Sequence, residues 1–397
     1  MRPRRLSLRS VADWKRELSL VGADPASWDR LRGKSSILAL KLFGLSSPMA
    51  NILKQSMLSA GADALVTREA VTGRAERSDA LVTGTEKSLR TAAASLRGQP
   101  FGLSGLGEEI EGLLDASHPT GDMELPGGVL RFGPRPLVMG VLNVTPDSFS
   151  DGGLHLDPGA AVARAMELAA RGASVVDVGA ESTRPGSDSV PAEEQLRRLR
   201  PVLEGLRDLP RGVLVSVDTS LPAVAREALD MGASIVNDVT ALSRPAIAET
   251  AAETGAGLVL MHMQGSPADM QEDPSYSDVL TQVYDYLAER VELAEDHGVP
   301  RSRIIVDPGI GFGKRLRHNL ALIRRLGEFR GLGCRVLLGH SRKSFLGSIS
   351  GIEGPADRDL HTHAVSALAA ADADMLRVHD VAGTVEVLRV AEALGGG

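Results

Sequence analysis

Asp218 and Asp307 each end an apolar run, Val-Leu-Val-Ser-Val before the first and Ile-Ile-Val before the second. Two carboxylates facing each other across one site suit three chemistries: reading a ligand with several N–H donors, binding a metal, or acid/base catalysis. Asn237 ends another such run and adds an amide, which both donates and accepts. A second group is cationic. Arg342, Lys343, Arg377 and His379 fall in two short segments near the C-terminus, and Arg377 and His379, two residues apart, share a face of an extended strand. On a chain of net charge −7, such a local cluster reads as an anion site. Arg184 precedes Pro185, which holds it extended and able to reach an anionic or aromatic group. The segment Asp307-Pro-Gly-Ile-Gly-Phe-Gly-Lys314 is glycine-rich but is not a nucleotide P-loop, because Pro308 stands where the first glycine is needed and Arg315 replaces the Ser/Thr.

These residues need a scaffold that brings distant segments to one rim. Eight short apolar runs cover residues 136–143, 174–179, 213–218, 234–238, 257–262, 304–307, 335–339 and 373–379. Helical periodicity lies between them, as at 160–170, 192–206 and 280–294. The alternation predicts an α/β fold, a (β/α)8 TIM barrel, whose active site lies at the C-terminal ends of its strands. At or just beyond those ends stand Asn143, Asp177, Asp218, Asn237, Asp238, His262, Asp307, Lys343, Arg377 and His379. The connection after the first run, residues 144–153, is long and polar, as expected of a lid or part of a site.

Residues 1–128 read as a separate, small N-terminal α/β domain, and residues 129–397 as the barrel domain. Strands are predicted at 37–43, 64–67 and 81–83, with helices at 48–60 and 86–96, the second stopped by Gly98 and Pro100. Residues 117–128, rich in proline and glycine, read as the linker. Gly84-Thr85 before a helix reads as a strand–helix turn with a capping hydroxyl rather than an anion site. The negative charge argues against a broad nucleic-acid surface, and no window approaches the roughly 20 apolar residues of a membrane span. Cys334 is the only cysteine and reads as a core residue, so the chain is expected in a reducing compartment, the cytoplasm.

Taken together, the motifs resemble one family. Residues 136–394 resemble the dihydropteroate synthases of folate biosynthesis, through Met139-Gly-Val-Leu-Asn-Val-Thr-Pro-Asp-Ser-Phe-Ser-Asp-Gly-Gly153, Asp177-Val-Gly-Ala-Glu-Ser-Thr-Arg-Pro-Gly186, Ser216-Val-Asp-Thr219, Ile235-Val-Asn-Asp238, Met261-His-Met-Gln-Gly265, the Asp307–Lys314 segment, Ser341-Arg-Lys-Ser344 and Arg377-Val-His-Asp380. The resemblance implies a transferase that condenses 6-hydroxymethyl-7,8-dihydropterin diphosphate with 4-aminobenzoate, assisted by Mg2+. It assigns Asp218, Asn237, Asp307 and Lys343 to the pterin, and Arg377, His379 and Asn143 with the metal to the diphosphate. Thr183 and Arg184 fall near diphosphate and aminobenzoate, and Pro185, Phe312 and Ser344 line the aminobenzoate pocket. Asp218, Asp307, Lys343 and Arg184 are the residues expected to carry catalysis, and a homodimer is the expected assembly.

Two departures from the family pattern stand out: His340 where a small or apolar residue is common, and His361 where glycine is common. The N-terminal 130 or so residues also lie outside the minimal enzyme. Pterin-binding methyltransferases that serve a corrinoid are the rival enzymes. They share the barrel and its carboxylates but need neither the diphosphate cluster, the Ser-Arg-Lys-Ser turn nor the long first loop. A pterin-binding protein without catalysis is the other rival, and it would be expected to lose Asn143, Arg184, Arg377 or His379 first.

Overall fold

A computed structural model describes residues 4–8, 10–116, 121–145, 157–181, 189–266 and 269–395. The chain forms two compact units, Met1–His118 and Pro119–Gly395. In the N-terminal unit, β1 (Ile37–Leu45), β2 (Asp63–Val66) and β3 (Ser78–Thr85) make an antiparallel sheet in the order β1-β3-β2. Leu42 and Val82 from the sheet share a buried core with Leu53 and Met57 of the helix Ser47–Ser59 and Leu89 of the helix Glu86–Leu96. Thr85 does cap the latter helix, its Oγ1 accepting from Ser88 N at 3.2 Å.

The helix Leu103–Ala116 completes that core with Leu103, Leu106 and Ile110. It was not foreseen from the sequence, because Gly105, Gly107 and Gly112 lower its helical propensity. Gly107 has a packing reason: a Cβ there would lie 2.6 Å from the Ala93 carbonyl oxygen.

The second unit begins at Pro119 and not at residue 129, because the expected linker is partly a hairpin of the barrel. Strands β4 (Met123–Leu125) and β5 (Gly128–Leu130) pair antiparallel. Eight parallel strands follow: β6 (Leu137–Asn143), β7 (Val175–Gly179), β8 (Leu214–Asp218), β9 (Ile235–Asp238), β10 (Gly257–Met261), β11 (Ile304–Asp307), β12 (Arg335–Leu338) and β13 (Met375–Val378). They close in sequence order, β13 pairing with β6. The expected crossover helices appear as Pro158–Ala170, Ala192–Gly205 and Val279–Asp296.

Side chains of a strand alternate between barrel interior and helix layer. The lowest interior layer takes one apolar residue from each strand: Met139, Val175, Leu214, Ile235, Val259, Ile305, Leu337 and Met375. Met123, Leu125 and Leu130 of the hairpin join this cluster and close the barrel floor. Ser234 Oγ donates to the Pro126 carbonyl at 2.6 Å, fixing the hairpin tip. The outward residues, such as Val176, Val178, Val236 and Val306, pack against Leu168, Leu199, Ile247 and Leu287 of the surrounding helices. Among the described residues, no helix is long and apolar enough to cross a membrane.

Candidate active site

Two residues above the floor, the same interior positions turn polar. Val175 is followed on its face by Asp177, Leu214 by Ser216 and then Asp218, Ile235 by Asn237, Ile305 by Asp307, and Met375 by Arg377. Asp177, Ser216, Asp218, Asn237 and Asp307 are all buried. A closed barrel thus carries its charges on top of an apolar plug, where water cannot reach from below.

Arg377 organises one half of this layer. Its Nε donates to Asp177 Oδ2 at 2.7 Å and its terminal nitrogen to Asp218 Oδ2 at 2.8 Å. Asn237 Nδ2 donates to the same Asp177 oxygen at 3.1 Å. Asp177 Oδ1 and Ser216 Oγ are buried with no hydrogen-bond partner among the described residues. Burial raises the Asp218 carboxyl to about 7, against the lowering effect of the Arg377 charge. Burial works against the charge of Arg377, and Asp177 and Asp218 more than offset it, holding the guanidinium above its ordinary range.

Asp307 and Lys343 form the other half. Asp307 Oδ1 accepts from Gly309 N at 2.7 Å. Burial raises its carboxyl, and Lys343 opposes the shift. Lys343 comes from the loop after β12, donates to the Ile310 carbonyl, and lies with its ammonium 4.5 Å from the centre of the Phe312 ring. Burial lowers it to about 8, with Asp307 acting in the opposite direction. Gly339 keeps this corner open, since a Cβ there would sit 3.3 Å from Asp307 Oδ2 and 3.9 Å from Lys343 Nζ.

The predicted cationic cluster is only partly assembled. Arg342 turns away and makes a bidentate pair with Asp359, at 2.7 Å to each oxygen. Its backbone is left-handed, φ 60°, and its N–H is held by Thr362 Oγ1 at 3.1 Å. That strained turn aims successive side chains differently, and it removes Arg342 from the anion group. His379 stays at the rim, its Nδ1 3.0 Å from Ser341 Oγ. Asp238 also leaves the list of ligand candidates. Its carboxylate accepts from Thr240 N at 2.9 Å and Leu242 N at 2.7 Å, bracing a loop in which Ala241 and Leu242 have positive φ.

Asn143 ends β6 and is half-buried. Ser344 opens the short helix Ser344–Ser350, for which Lys343 is the cap residue. Thr183, Arg184 and Pro185, like residues 146–156 of the first loop, lie outside the described residues. Asp177 and Lys314 belong to this centre although the sequence reading gave neither a role. For Asp177 a signal existed, since it stands two residues beyond the interior Val175.

The chain matches the family of pterin binding enzymes over residues 139–379. It is 48% identical over 260 residues to the dihydropteroate synthase of Escherichia coli K12, covering 65% of this chain and 92% of that one. It is 39% identical over 396 residues to a probable bifunctional folylpolyglutamate synthase/dihydropteroate synthase of Haloferax volcanii. That alignment takes in 97% of this chain, including the N-terminal unit, but the chain spans only 46% of the length of that relative. The structure of Xanthomonas albilineans dihydropteroate synthase in complex with 7,8-dihydropteroate superposes with a TM-score of 0.61 at 41% identity, covering 68% of this chain and 98% of the other. With its interior carboxylates on successive barrel strands and its match to nearly the whole of the Escherichia coli enzyme, the chain belongs to the pterin binding enzymes, on their dihydropteroate synthase branch.

Proposed function

We propose that the chain condenses 6-hydroxymethyl-7,8-dihydropterin diphosphate with 4-aminobenzoate, releasing 7,8-dihydropteroate and diphosphate. The observation that carries this reading is the polar layer over the apolar floor, with an Asp177 oxygen unpaired among the described residues, the side-chain amide of Asn237 and two raised carboxyls, Asp218 and Asp307. A pterin presents an edge of N–H donors, which such a set of acceptors reads. Lys343 supplies the donor for the ring's acceptor atoms.

In the reaction the exocyclic C–O bond to diphosphate breaks, leaving a carbocation conjugated with the electron-rich pterin. Asp218 and Asp307 favour that positive charge from a site already closed to water below. The amine lone pair of aminobenzoate then forms the new C–N bond, and the proton lost from nitrogen passes to the departing diphosphate or to solvent. No strong general base is needed, because the lone pair is free at neutral pH. By resemblance Arg377 and His379 are assigned to the diphosphate, and Thr183, Arg184 and Pro185 complete the second loop around it and the aminobenzoate. Phe312 and Ser344 are assigned to the aminobenzoate ring and carboxylate.

The donor set fits Mg2+. Asn143 offers a hard amide oxygen, and among the described residues no three His, Cys, Asp or Glu side chains stand together as a metal cage. A magnesium ion that keeps several waters and leans on substrate phosphates needs only such a partial site. It would neutralise charge on the leaving diphosphate.

A homodimer is supported by exposed apolar residues on two helices that pack on each other. Leu360 and Leu368 lie on the helix Asp359–Ala369, 75% and 81% exposed, and Leu394 on the helix Val381–Gly395 is 83% exposed. We place the protein in the cytoplasm, where the single buried Cys334 suits reducing conditions. The test of the reaction is diphosphate release from the pterin diphosphate with and without 4-aminobenzoate. Release that does not depend on the amine, or no release at all, defeats the assignment.

A further inference from the structure

We propose that Lys314 is a positioning residue for the condensation, tying the loop after β11 to the loop after β10 so that Phe312 and the Ile310 carbonyl stand against Lys343. The proposal deepens the reading of the site given above and rests on it for the identity of the second substrate.

Lys314 is a buried cation whose hydrogen-bond partners are neutral, with Asp307 acting on it only through its charge. The residue is 3% exposed. The ammonium lies 2.9 Å from His262 Nδ1, 3.3 Å from the His262 carbonyl oxygen and 3.0 Å from the Phe312 carbonyl oxygen. These three acceptors use its three donors, so it is satisfied, but no carboxylate is among its hydrogen-bond partners. Burial holds it well below the ordinary lysine range, and burial with the Lys314 charge lowers His262 to about 2. His262 therefore remains neutral and presents Nδ1 as an acceptor, which places its proton on Nε2. Taking an ammonium out of water with no carboxylate hydrogen-bonded to it is costly, the charge of Asp307 offsets that only in part, and a methionine would fill similar space without the cost. Packing alone does not explain the lysine.

What the ammonium accomplishes is visible in the two backbones that it joins. At Gly309, φ +67°, a Cβ would lie 1.8 Å from the His262 carbonyl oxygen. At Gly313, φ +61°, a Cβ would lie 2.3 Å from the Gln264 carbonyl oxygen. Only glycine permits this approach, and it turns two carbonyl-lined segments toward each other. Lys314 supplies donors at this junction. Other contacts close the loop from outside: Tyr276 Oη donates to the Gly313 carbonyl at 2.9 Å, and Asn319 Oδ1 accepts from Gly311 N at 2.8 Å.

The held loop in turn sets two contacts of Lys343, the Ile310 carbonyl and the Phe312 ring. Asp307 attracts Lys343 independently of the loop and sits on β11 itself. The Phe312 backbone, in contrast, is held directly by Lys314. Loss of the ammonium should therefore disturb the aminobenzoate end more than the pterin end.

The test uses the full chain with Lys314→Met and, as a milder change that keeps two donors, Lys314→Gln. In Lys314→Met, amide exchange across Gly309–Gly313 should accelerate at least tenfold. KM for 4-aminobenzoate should rise by one to two orders of magnitude, while Kd for the pterin diphosphate changes less than threefold. Lys314→Gln should fall between wild type and Lys314→Met in both exchange and KM. If Lys314→Met does not fold, the Gln variant is read by the same two measurements. An active wild type whose variants show unchanged exchange and unchanged KM overturns the assignment of Lys314. So does a variant whose only change is a lower Tm, since that is a structural residue. A wild type inert toward 4-aminobenzoate, with exchange still accelerated in the variant, overturns the reaction assigned to the site and the substrate part of this proposal with it.

Discussion

Replacing Asp307 by asparagine keeps the shape of the side chain and reverses what one of its atoms offers. The orientation of the new amide is dictated by its surroundings. The buried Gly309 N–H requires an acceptor and now finds Asp307 Oδ1 at 2.7 Å. The asparagine carbonyl must take that position, which puts its NH2 where Oδ2 stands, on the side of Gly339 and the Lys343 ammonium. A donor then faces a lysine and the N–H edge of the pterin. Loss of one charged hydrogen bond together with unpaired donors should cost about 2–4 kcal/mol in transition-state binding, roughly thirty- to a thousandfold in kcat/KM. Stability should move the other way. The folded carboxyl is raised by burial, so its contribution to stability is present below its unfolded pKa and is lost as pH rises through the folded value. Asparagine has no such loss, and Tm near neutral pH should stay level or rise. The variant carries a second signature. Asp307 is what opposes the lowering of Lys343, now at about 8, so without it Lys343 should lose its proton at lower pH. The basic side of the activity profile should shift down accordingly. Steady-state kinetics across pH and thermal unfolding of the same preparation decide the matter. Near wild-type kcat/KM, or a lost activity explained by a lower Tm with the basic limb unmoved, would refute the assignment of Asp307 to the pterin edge.

Arg377→Ala or His379→Ala should weaken binding of the pterin diphosphate far more than binding of the free hydroxymethyl pterin in calorimetric titration, and equal losses would make both residues structural. Arg377→Ala should also lower stability by about 3–5 kcal/mol, because it leaves Asp177 and Asp218 without their shared cation. Burial holds His340 down to about 4, so its contribution to stability is complete above the ordinary histidine pKa and fades as pH falls toward that value. Wild type should lose about 3 kcal/mol across that window, and His340→Leu should lose markedly less, as read by denaturation at stepped pH. Truncation should depend on the hairpin: a chain starting at Pro119 should keep pterin binding, one starting at Arg131 should lose the barrel floor, and Leu125→Ala alone should cost about 2–4 kcal/mol in denaturant unfolding.

The barrel was legible in the sequence because its strands are buried on both faces and read as continuous apolar runs, cut off by a polar residue at the rim. The hairpin Met123–Leu130 was not. Its strands are three residues each, too short for alternation to register, and its Pro126-Gly127 turn gives the composition of a linker. Lys343, Asp218, Asp307 and Asn237 were found from strand ends, and the structure brings them to one interior layer. Arg342 was misjudged because proximity in sequence to Lys343 says nothing about direction after a left-handed residue. Lys314 had no legible role, because its partners are a histidine ring and two carbonyls, none of which a sequence pattern distinguishes.

The reading of Arg377 depends on depth. Two residues below His379 on an inward-facing strand position, it lies one layer deeper in the barrel, and at that depth its counter-ions are Asp177 and Asp218. An arginine placed there serves the carboxylates as much as an anion. Without it, Asp177 and Asp218 would lose the cation they share, and the Asp218 carboxyl, already raised by burial, would be pushed further toward the neutral form. With it, Asp177 and Asp218 are held by Arg377, and Asp307 by the charges of Lys343 and Lys314, a rigid set of carboxylates under the proposed pterin site. Carboxylates held in place suit the proposed reaction, in which positive charge develops on the ring as diphosphate leaves, since fixed charges aimed at a developing one need no reorganisation when it appears. Burial raises the Asp218 carboxyl to about 7 even with Arg377 beside it. Substrate N–H donors arriving at its oxygens stabilise the ionised form, so binding should draw the proton off and complete the negative layer at the moment it is used.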